Sequence, residues 1–288
     1  MKPEEITILS GKGGTGKTSV TAAFASLAGE AVFCDCDVDA ADLHLLLKPE
    51  IHSTHPFASG SKAIIDAAAC SGCGLCAEVC RFDAVLQTDD NTFYIDPLLC
   101  EGCGLCSRLC PEEAIRIEES FNNFWYISST RFGTLVHAHM MPGEENSGRL
   151  VATIRDKARE IAKQNNIRRI INDGPPGIGC PVIASLSGVQ KVLLVAEPSV
   201  SGLHDALRLG ELTRKFGIPT KAIINKWDLN PELSLKLEEE LNANSIPVIG
   251  KIPFDRIFTD AMILGQTITE FAPESEATLL LKEIWKKI

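Results

Sequence analysis

Eight of the eleven cysteines in this 288-residue chain lie between Cys70 and Cys110. They form two copies of a C-x2-C-x2-C-x3-C pattern, and the copies are 30 residues apart. Zinc sites commonly use isolated C-x2-C pairs, and disulfide frameworks are typical of small secreted domains that lack a sufficient core. Neither alternative explains paired cysteine runs within a long chain of ordinary hydrophobicity. The repeat therefore favours a metal cofactor ligated by thiolates.

The repeat resembles that of the bacterial two-cluster ferredoxins. In that family three close cysteines hold one [4Fe–4S] cluster, and the fourth cysteine of each run ligates the other cluster. The resemblance implies one cluster on Cys70, Cys73, Cys76 and Cys110, and a second on Cys80, Cys100, Cys103 and Cys106. The expected ferredoxin-like (α+β) insert covers residues 60–118.

The two copies differ after the fourth cysteine of each run. Cys110 is followed by Pro111, as the ferredoxin pattern expects, whereas Cys80 is followed by Arg81. A cation beside the second cluster is expected to raise its reduction potential modestly. A surface substitution without redox consequence is the alternative.

A phosphate-binding loop lies near the start of the chain. The apolar run Ile6–Leu9 is followed by G-x-x-x-x-G-K-T from Gly11 to Thr18 and then by small apolar residues at helical spacing. This strand–loop–helix order is the context in which a Walker A motif cradles phosphates with backbone N–H groups. Lys17 is expected to reach the β- and γ-phosphates, and Thr18 to ligate Mg²⁺. The predicted nucleotide contacts here are Gly11, Gly13, Gly14, Thr15, Gly16, Lys17, Thr18 and Ser19.

The second lysine of this loop, Lys12, resembles the signature residue of the deviant Walker A ATPases, which include MinD, the partition ATPases and the nitrogenase iron protein. In those proteins this lysine crosses a dimer interface to touch the partner's nucleotide. The resemblance extends over nearly the whole chain. It implies a dimer formed on ATP binding, either with a second copy or with a sister ATPase, in which Lys12 acts catalytically in trans. A solvated loop lysine is the alternative.

Acidic residues at the ends of two later strands match further motifs of the same family. By this resemblance Asp37 would orient the attacking water, and Asp35 would support the Mg²⁺ shell. Asp173 would hold Mg²⁺ through water, and the Gly174 N–H would sense the γ-phosphate. Such loops relax when the γ-phosphate is lost, which is how hydrolysis becomes motion.

The N-K-x-D string that begins at Asn225 bears on the choice of base. Its aspartate selects guanine in GTPases, whereas its asparagine contacts adenine in the MinD-like ATPases, so ATP is favoured and GTP stays open. Pro253 is expected to pack against the base. Alternating strands and helices predict an α/β fold with a mostly parallel P-loop sheet covered by helices on both faces, formed by residues 1–59 and 119–288.

The composition limits the classes of partner. A net charge of −10 argues against binding to a nucleic-acid backbone. No apolar run approaches the roughly 18 residues of a membrane span, and no leader peptide is expected, so the prediction is a cytoplasmic protein. The amphipathic segment Glu276–Ile288 is predicted to close over the sheet, with membrane attachment as the lesser alternative. Cys180 is interpreted as a small buried thiol rather than a redox or ligand residue, and the His137-x-His139 pair as structural.

Two functions follow from these motifs. The favoured one is ATP-gated electron transfer to a redox partner, because the ferredoxin-type ligand sets are complete. The alternative is an iron–sulfur or metallocofactor assembly ATPase that hands clusters to an accepting protein. Related scaffold ATPases use a C-terminal C-x-x-C, and no cysteine follows Cys180. A positioning switch with structural or redox-sensing clusters is a third hypothesis.

Overall fold

The structure is a computed structural model that describes residues 2–58, 60–141 and 146–288. The strands are β1 (Glu4–Ser10), β2 (Ala31–Asp35), β3 (Glu50–Phe57), β4 (Gly60–Ile65), β5 (Val85–Gln87), β6 (Phe93–Ile95), β7 (Ile115–Ser120), β8 (Asn123–Thr130), β9 (Gly133–His139), β10 (Arg169–Pro176), β11 (Lys191–Ala196), β12 (Thr220–Asn225) and β13 (Val248–Ile252). The helices are α1 (Lys17–Leu27), α2 (Leu43–Leu47), α3 (Leu75–Val79), α4 (Leu105–Leu109), α5 (Ser147–Gln164), α6 (Cys180–Leu186), α7 (Val200–Lys215), α8 (Pro231–Ala243), α9 (Ile257–Ile263), α10 (Ile268–Phe271) and α11 (Glu276–Trp285).

The chain divides into two compact units. The first unit comprises Met1–Thr54, Trp125–His139 and Gly148–Ile288, and the second comprises His55–Phe124 and Met140–Ser147. The second unit contains all eight cysteines of the repeat and extends beyond the 60–118 interval at both ends. Ser59, at the predicted boundary, lies outside the described residues.

The sheet of the first unit is mostly parallel. Its strand order is β13-β12-β11-β1-β10-β2-β9-β8-β3, and every pair from β13 to β9 is parallel. The central strands are buried on both faces, which suits their continuous apolar sequences. The predicted α/β class of this unit is confirmed. Because parallel strands end at one edge, β1, β2 and β10 deliver the glycine loop and the acidic motifs to the same place.

The C-terminal helix belongs to the core of the first unit. Leu281 and Ile284 of α11 are buried, and the Trp285 ring lies 5.1 Å from that of Phe24 on α1. The Arg169 guanidinium lies over the Trp285 ring, 5.1 Å from its centroid. The prediction that this segment packs over the sheet is confirmed, and the helix ends three residues before the predicted Ile288.

A buried ion pair fixes α5 against the sheet. The carboxylate of Glu5 on β1 accepts hydrogen bonds from Arg155 Nη2 at 2.6 Å and from Asn172 Nδ2 at 2.8 Å. Arg155 also donates to the carbonyls of Ala184 and Ser187, at the end of α6. Both charged side chains are almost fully buried, and each offsets the cost of burying the other. The second oxygen of Glu5 accepts from Arg159 Nε at 2.8 Å, but Arg159 is partly exposed.

The second unit repeats one small motif. Strands β4 and β7 pair antiparallel, as do β5 and β6. A shift of 30 residues reproduces the contacts: Asp66 N donates to Ala114 O at 2.8 Å, and Asp96 N donates to Ala84 O at 2.8 Å. The two halves are thus related by an approximate twofold symmetry, as the cysteine repeat leads one to expect.

We expect Arg155→Met to lower the free energy of unfolding of the first unit by about 3 kcal/mol, because it leaves the buried Glu5 carboxylate with only the partly exposed Arg159 as an ionic partner. Trp125, Trp227 and Trp285 all belong to the first unit, so urea unfolding followed by tryptophan fluorescence reports on it. The control is Lys157→Met, which removes an exposed pair with Glu160 and is expected to have little effect. Equal destabilisation by the two substitutions would contradict the role of the Glu5–Arg155 pair.

Candidate functional site

A cavity of about 500 Å³ lies at the carboxyl edge of the parallel sheet in the first unit. Its walls include nine predicted nucleotide contacts, namely Gly13, Gly14, Thr15, Gly16, Lys17, Thr18, Ser19, Asn225 and Pro253. Asp37 also lines it, and Phe254, Phe258 and Met262 add apolar surface beside Pro253. The predicted contacts Gly11 and Gly174 lie outside this lining. A polar, glycine-rich end and an apolar end suit a phosphate chain and a base.

The glycine loop adopts a conformation that other residues cannot easily replace. Gly16 has a φ of 88°, in the left-handed region, and α1 begins at the next residue. A Cβ at Gly16 would lie 2.4 Å from Asn225 Nδ2, so a side chain there would displace Asn225 as well as strain the backbone. The loop N–H groups are thereby held at the N-terminus of α1, where the helix dipole favours an anion.

Two polar atoms of the loop are buried without a hydrogen-bond partner among the described residues. They are Lys17 Nζ and Thr15 Oγ1. The Lys17 ammonium lies 3.0 Å from Asp173 Oδ1 and 3.6 Å from Asp37 Oδ2, but these ion pairs are not aligned as hydrogen bonds. Unsatisfied buried polar groups cost roughly 1–3 kcal/mol each, and phosphate oxygens would satisfy both. The loop therefore fits a phosphorylated ligand.

The charge of Lys17 is maintained by its surroundings. Burial lowers the pKa of Lys17, but the three neighbouring carboxylates outweigh burial, and the net pKa is raised. Burial also raises the pKa of Asp37 to about 6, against the lowering effect of Lys17. The pKa of Asp35 is raised well above its usual range by burial and then by the charge of Asp173. A buried group of carboxylates of this kind favours additional positive charge nearby.

Asp173 is the acceptor at the centre of this cluster. Its Oδ2 accepts from Thr18 Oγ1 at 2.8 Å, and its Oδ1 accepts from Thr21 Oγ1 at 2.7 Å. The proximity of Thr18 and Asp173 brings two of the three predicted Mg²⁺ residues together. Thr21 was not predicted; its position one helical turn after Lys17 is the sequence signal that could have identified it.

Asp35 has a different environment from the other acids. Its side chain is fully buried outside the cavity lining, where Oδ1 accepts the Asp37 N–H at 3.2 Å and Oδ2 accepts the Leu43 N–H at 3.1 Å. Asp35 therefore braces the segment that carries Asp37 and leads into α2. Gly174 lies in β10, where a Cβ would approach Ile8 O to 2.7 Å, so its small size keeps β1 and β10 close.

The Lys12 ammonium forms an ion pair and hydrogen bonds within its own chain. Its Nζ lies 2.5 Å from Glu197 Oε1 and donates to Ser199 Oγ at 2.9 Å. Its side chain is 32% exposed. Gly11, just before it, packs against Asp205, because a Cβ there would lie 2.3 Å from Asp205 Cβ.

The first two residues of the N-K-x-D string form hydrogen bonds with the glycine loop. Asn225 Nδ2 donates to Thr15 O, and Lys226 Nζ donates to Gly14 O, both at 2.7 Å. Asp228 Oδ1 accepts the Phe254 N–H at 2.6 Å. The aspartate that would select guanine is therefore bonded to the backbone of the cavity wall.

The eight clustered cysteines line two separate small cavities of the second unit, each with a volume of about 20 Å³. Cys70, Cys73, Cys76 and Cys110 line the first, and Cys80, Cys100, Cys103 and Cys106 line the second. Each cavity thus takes three cysteines from one copy of the repeat and the fourth from the other copy. No trio of His, Cys, Asp or Glu within residues 2–58, 60–141 and 146–288 is arranged to hold a single metal ion.

Two other predicted residues have clear positions. Cys180 is exposed at the start of α6, so its interpretation as a buried thiol is wrong; it opens the helix rather than facing the sheet. His137 is buried, hydrogen bonds to Ser128 Oγ at 2.9 Å and stacks on Tyr126. Burial, and then the neighbouring His44, lower the pKa of His137 to about 4. These contacts give His137 the structural role predicted for it.

Comparison with known proteins places these motifs in a family. The model of the CobQ/CobB/MinD/ParA nucleotide-binding domain matches residues 6–268. The chain belongs to this family. The protein MJ0578 of Methanocaldococcus jannaschii is 31% identical over 289 residues, which cover 99% of this chain and 96% of that protein.

Solved structures show the same fold. The septum site-determining protein MinD of Pyrococcus horikoshii, complexed with Mg-ADP, superposes with a TM-score of 0.61 at 17% identity, covering 99% of this chain and 95% of that one. A ParA family ATPase of Chlorobium tepidum gives 0.60 at 17% identity and full coverage of both chains. In the part of the chain that the structure describes, no helix combines the length and apolarity needed to cross a membrane.

We expect Thr21→Val to weaken MgADP binding about tenfold and to lower the free energy of unfolding by about 1–3 kcal/mol, because it removes one donor from the buried Asp173 carboxylate. The freed oxygen would hold Lys17 more tightly and so compete with phosphate. Isothermal titration calorimetry measures the affinity. Thr153→Val is the matched control, since Thr153 also donates to the carbonyl four residues earlier, but through an exposed hydrogen bond. Unchanged MgADP affinity in the Thr21 variant would contradict this role.

Proposed function

We propose that this chain is an ATP-hydrolysing switch that carries two [4Fe–4S] clusters in its second unit and delivers electrons to a partner protein under nucleotide control. The observation that carries the proposal is the pair of cysteine cavities, each completed by the fourth cysteine of the opposite repeat. That exchange of ligands is the arrangement expected for two clusters in one ferredoxin-like unit.

The chemistry of the cavities fits clusters better than zinc or disulfides. The small core of the second unit is built partly of thiols, with Cys76 and Cys100 buried among Ala63, Ala84 and Ile115. A unit of this size has little apolar core and usually needs a covalent or metal cross-link. Four thiols around a cavity suit a cubane, whereas a zinc site brings its ligands to about 2.3 Å of one point. When bound, the clusters would supply one-electron chemistry at low potential.

The loop cavity would hold the nucleotide. Lys17 and the loop N–H groups would bind the phosphates, and Thr18 with Asp173 would hold Mg²⁺ directly or through water. Asp37, at the cavity wall, would orient the attacking water, and Gly174 would respond to the γ-phosphate. We favour ATP over GTP because Asp228 lies outside the cavity lining and one of its oxygens accepts the Phe254 N–H.

The dimer would form when Lys12 exchanges its partners. In the single chain its ammonium pairs with Glu197, and in an ATP-bound dimer it would reach the nucleotide of the other subunit, which is either a second copy or a sister ATPase. Such a contact stabilises charge that develops during phosphoryl transfer, as an arginine finger does.

The path of the chain suggests how the two units communicate. Asp35 holds the amides of Asp37 and Leu43, so a shift of Asp37 towards a γ-phosphate would move the start of α2. Strand β3 begins three residues after α2 ends and runs on into the second unit. Loss of the γ-phosphate would reverse this shift, which is the usual form of a nucleotide switch.

The main test is an anaerobic redox titration of the reconstituted protein by EPR, with and without MgATP. We expect about eight iron and eight sulfide per chain and at least one potential that MgATP changes. Lys17→Ala is the control, since it should bind clusters but show no nucleotide effect. Clusters that cannot be reduced, or that pass to an apo-protein on ATP hydrolysis, would refute electron transfer; the second result would favour the assembly alternative.

Ligand exchange between the repeats gives a second prediction. Cys110→Ser should lose about half of the iron, because one cluster loses a ligand. Adding Cys70→Ser should cause no further loss, since both residues serve the same cluster, whereas adding Cys103→Ser should remove most of the rest. Cys180→Ser is the control and should retain all of the iron. If the Cys110/Cys103 pair lost no more iron than Cys110→Ser alone, the exchange would be wrong.

A further inference from the structure

The internal symmetry of the second unit shows where its two cysteine cavities differ. A shift of 30 residues relates the linings of the two cavities. Ile65 in the first corresponds to Ile95 in the second, and Phe93 in the first corresponds to Ala63 in the second. The same shift relates the tight turns, since Gly72 approaches Asn91 O and Gly102 approaches Ser61 O. Two sites built this similarly would have similar affinity for an electron unless a charge distinguishes them.

Lys62 breaks the symmetry. Its Nζ donates to the carbonyl of Cys100 at 2.8 Å, and the following amide, Ala63 N, donates to Cys100 Sγ at 3.5 Å. Strand β4 is therefore fixed against both the backbone and the sulfur of this cysteine. The equivalent of Lys62 in the other half is the uncharged Thr92, whose hydroxyl bonds to Thr88 Oγ1 at 2.8 Å.

The carboxylates near the cavities do not cancel this difference. One glutamate lines each cavity, Glu112 in the first and Glu101 in the second, so these charges balance. Glu118 lies opposite Lys62 in the β4–β7 register, but its carboxylate pairs with Arg116 at 2.5 Å.

Arg81 adds a second positive charge near the cavity that Cys80 lines. It follows Cys80 of the second cavity, whereas Pro111 follows Cys110 of the first. Arg81 is exposed and therefore strongly screened, so Lys62 is the main cause of the asymmetry.

We propose that Lys62 raises the reduction potential of the cluster held by Cys80, Cys100, Cys103 and Cys106 above that of the other cluster, so that the electron of a singly reduced chain resides there. This inference rests on the proposed function for the presence of the clusters. Reduction adds one negative charge, and a nearby ammonium that is partly withdrawn from water stabilises that charge. The second cavity would then be the resting place of the electron, and the first the point from which it is supplied.

The test uses the full-length protein reconstituted with iron and sulfide, and EPR-monitored redox titration. In Lys62→Gln we expect the higher potential to fall so that the ratio of reduced to oxidised cluster at fixed potential drops about tenfold, equivalent to about 59 mV for a one-electron couple. The lower potential should not move. Lys62→Arg, which keeps the charge, should restore the higher value. Asp89→Asn removes one charge from an exposed position of the same unit outside both cavities, and should leave both potentials unchanged.

Thr92→Lys tests the inference in the opposite direction. It places an ammonium at the symmetry-related position and should raise the lower potential, which narrows the gap between the clusters. The inference is overturned if Lys62→Gln shifts both potentials equally, shifts only the lower one, or shifts the higher one no further than Asp89→Asn does. Iron and sulfide analysis distinguishes failure of the proposed function from failure of this inference alone. Wild-type protein that binds no clusters overturns the proposed function and this inference together, whereas intact clusters with no effect of Lys62 overturn this inference alone.

Discussion

The rest of the first unit depends on one buried cluster of charges. Lys17 lies between Asp173 and Asp37, with Asp35 close behind them, at the ends of three adjacent parallel strands. Three carboxylates with one ammonium have an excess of negative charge in a region of low dielectric. The arrangement is stable because Thr18, Thr21 and backbone amides donate to the carboxylates, and it favours additional cations, which is the electrostatic condition for holding Mg²⁺ with a nucleotide.

A different constraint shapes the second unit. Its core is small and contains thiols where a larger domain would have aliphatic side chains. Approximate twofold symmetry lets each half complete the cavity of the other, so neither repeat forms a full set of four cysteines alone. With the clusters of the proposed function, folding of this unit and cluster loading would be linked, because the same side chains would serve as core and as ligands.

Several residues have contacts that no motif indicates. Thr21 donates to Asp173 although the loop motif ends at Thr18. Asp228 belongs to a string that can read guanine but accepts a backbone N–H instead. Cys180 is exposed and not buried, because it opens a helix at the end of a glycine-rich turn. For Thr21 and Asp228 the hydrogen-bond partner is distant in sequence. For Cys180 the exposure depends on where the helix begins.

The sequence by itself determined the α/β class of the first unit, its phosphate loop and the spacing of the cysteine repeat, because these depend on short spacings and on local backbone geometry. Only the tertiary structure decided which carboxylate braces a loop and which faces the cavity, that Lys12 pairs with Glu197, and that Lys62 contacts only one of two otherwise equivalent sites. Those outcomes depend on side chains from separate strands meeting in space. Spacing along the chain cannot specify such meetings, since the order of strands in the sheet is not their order in the sequence.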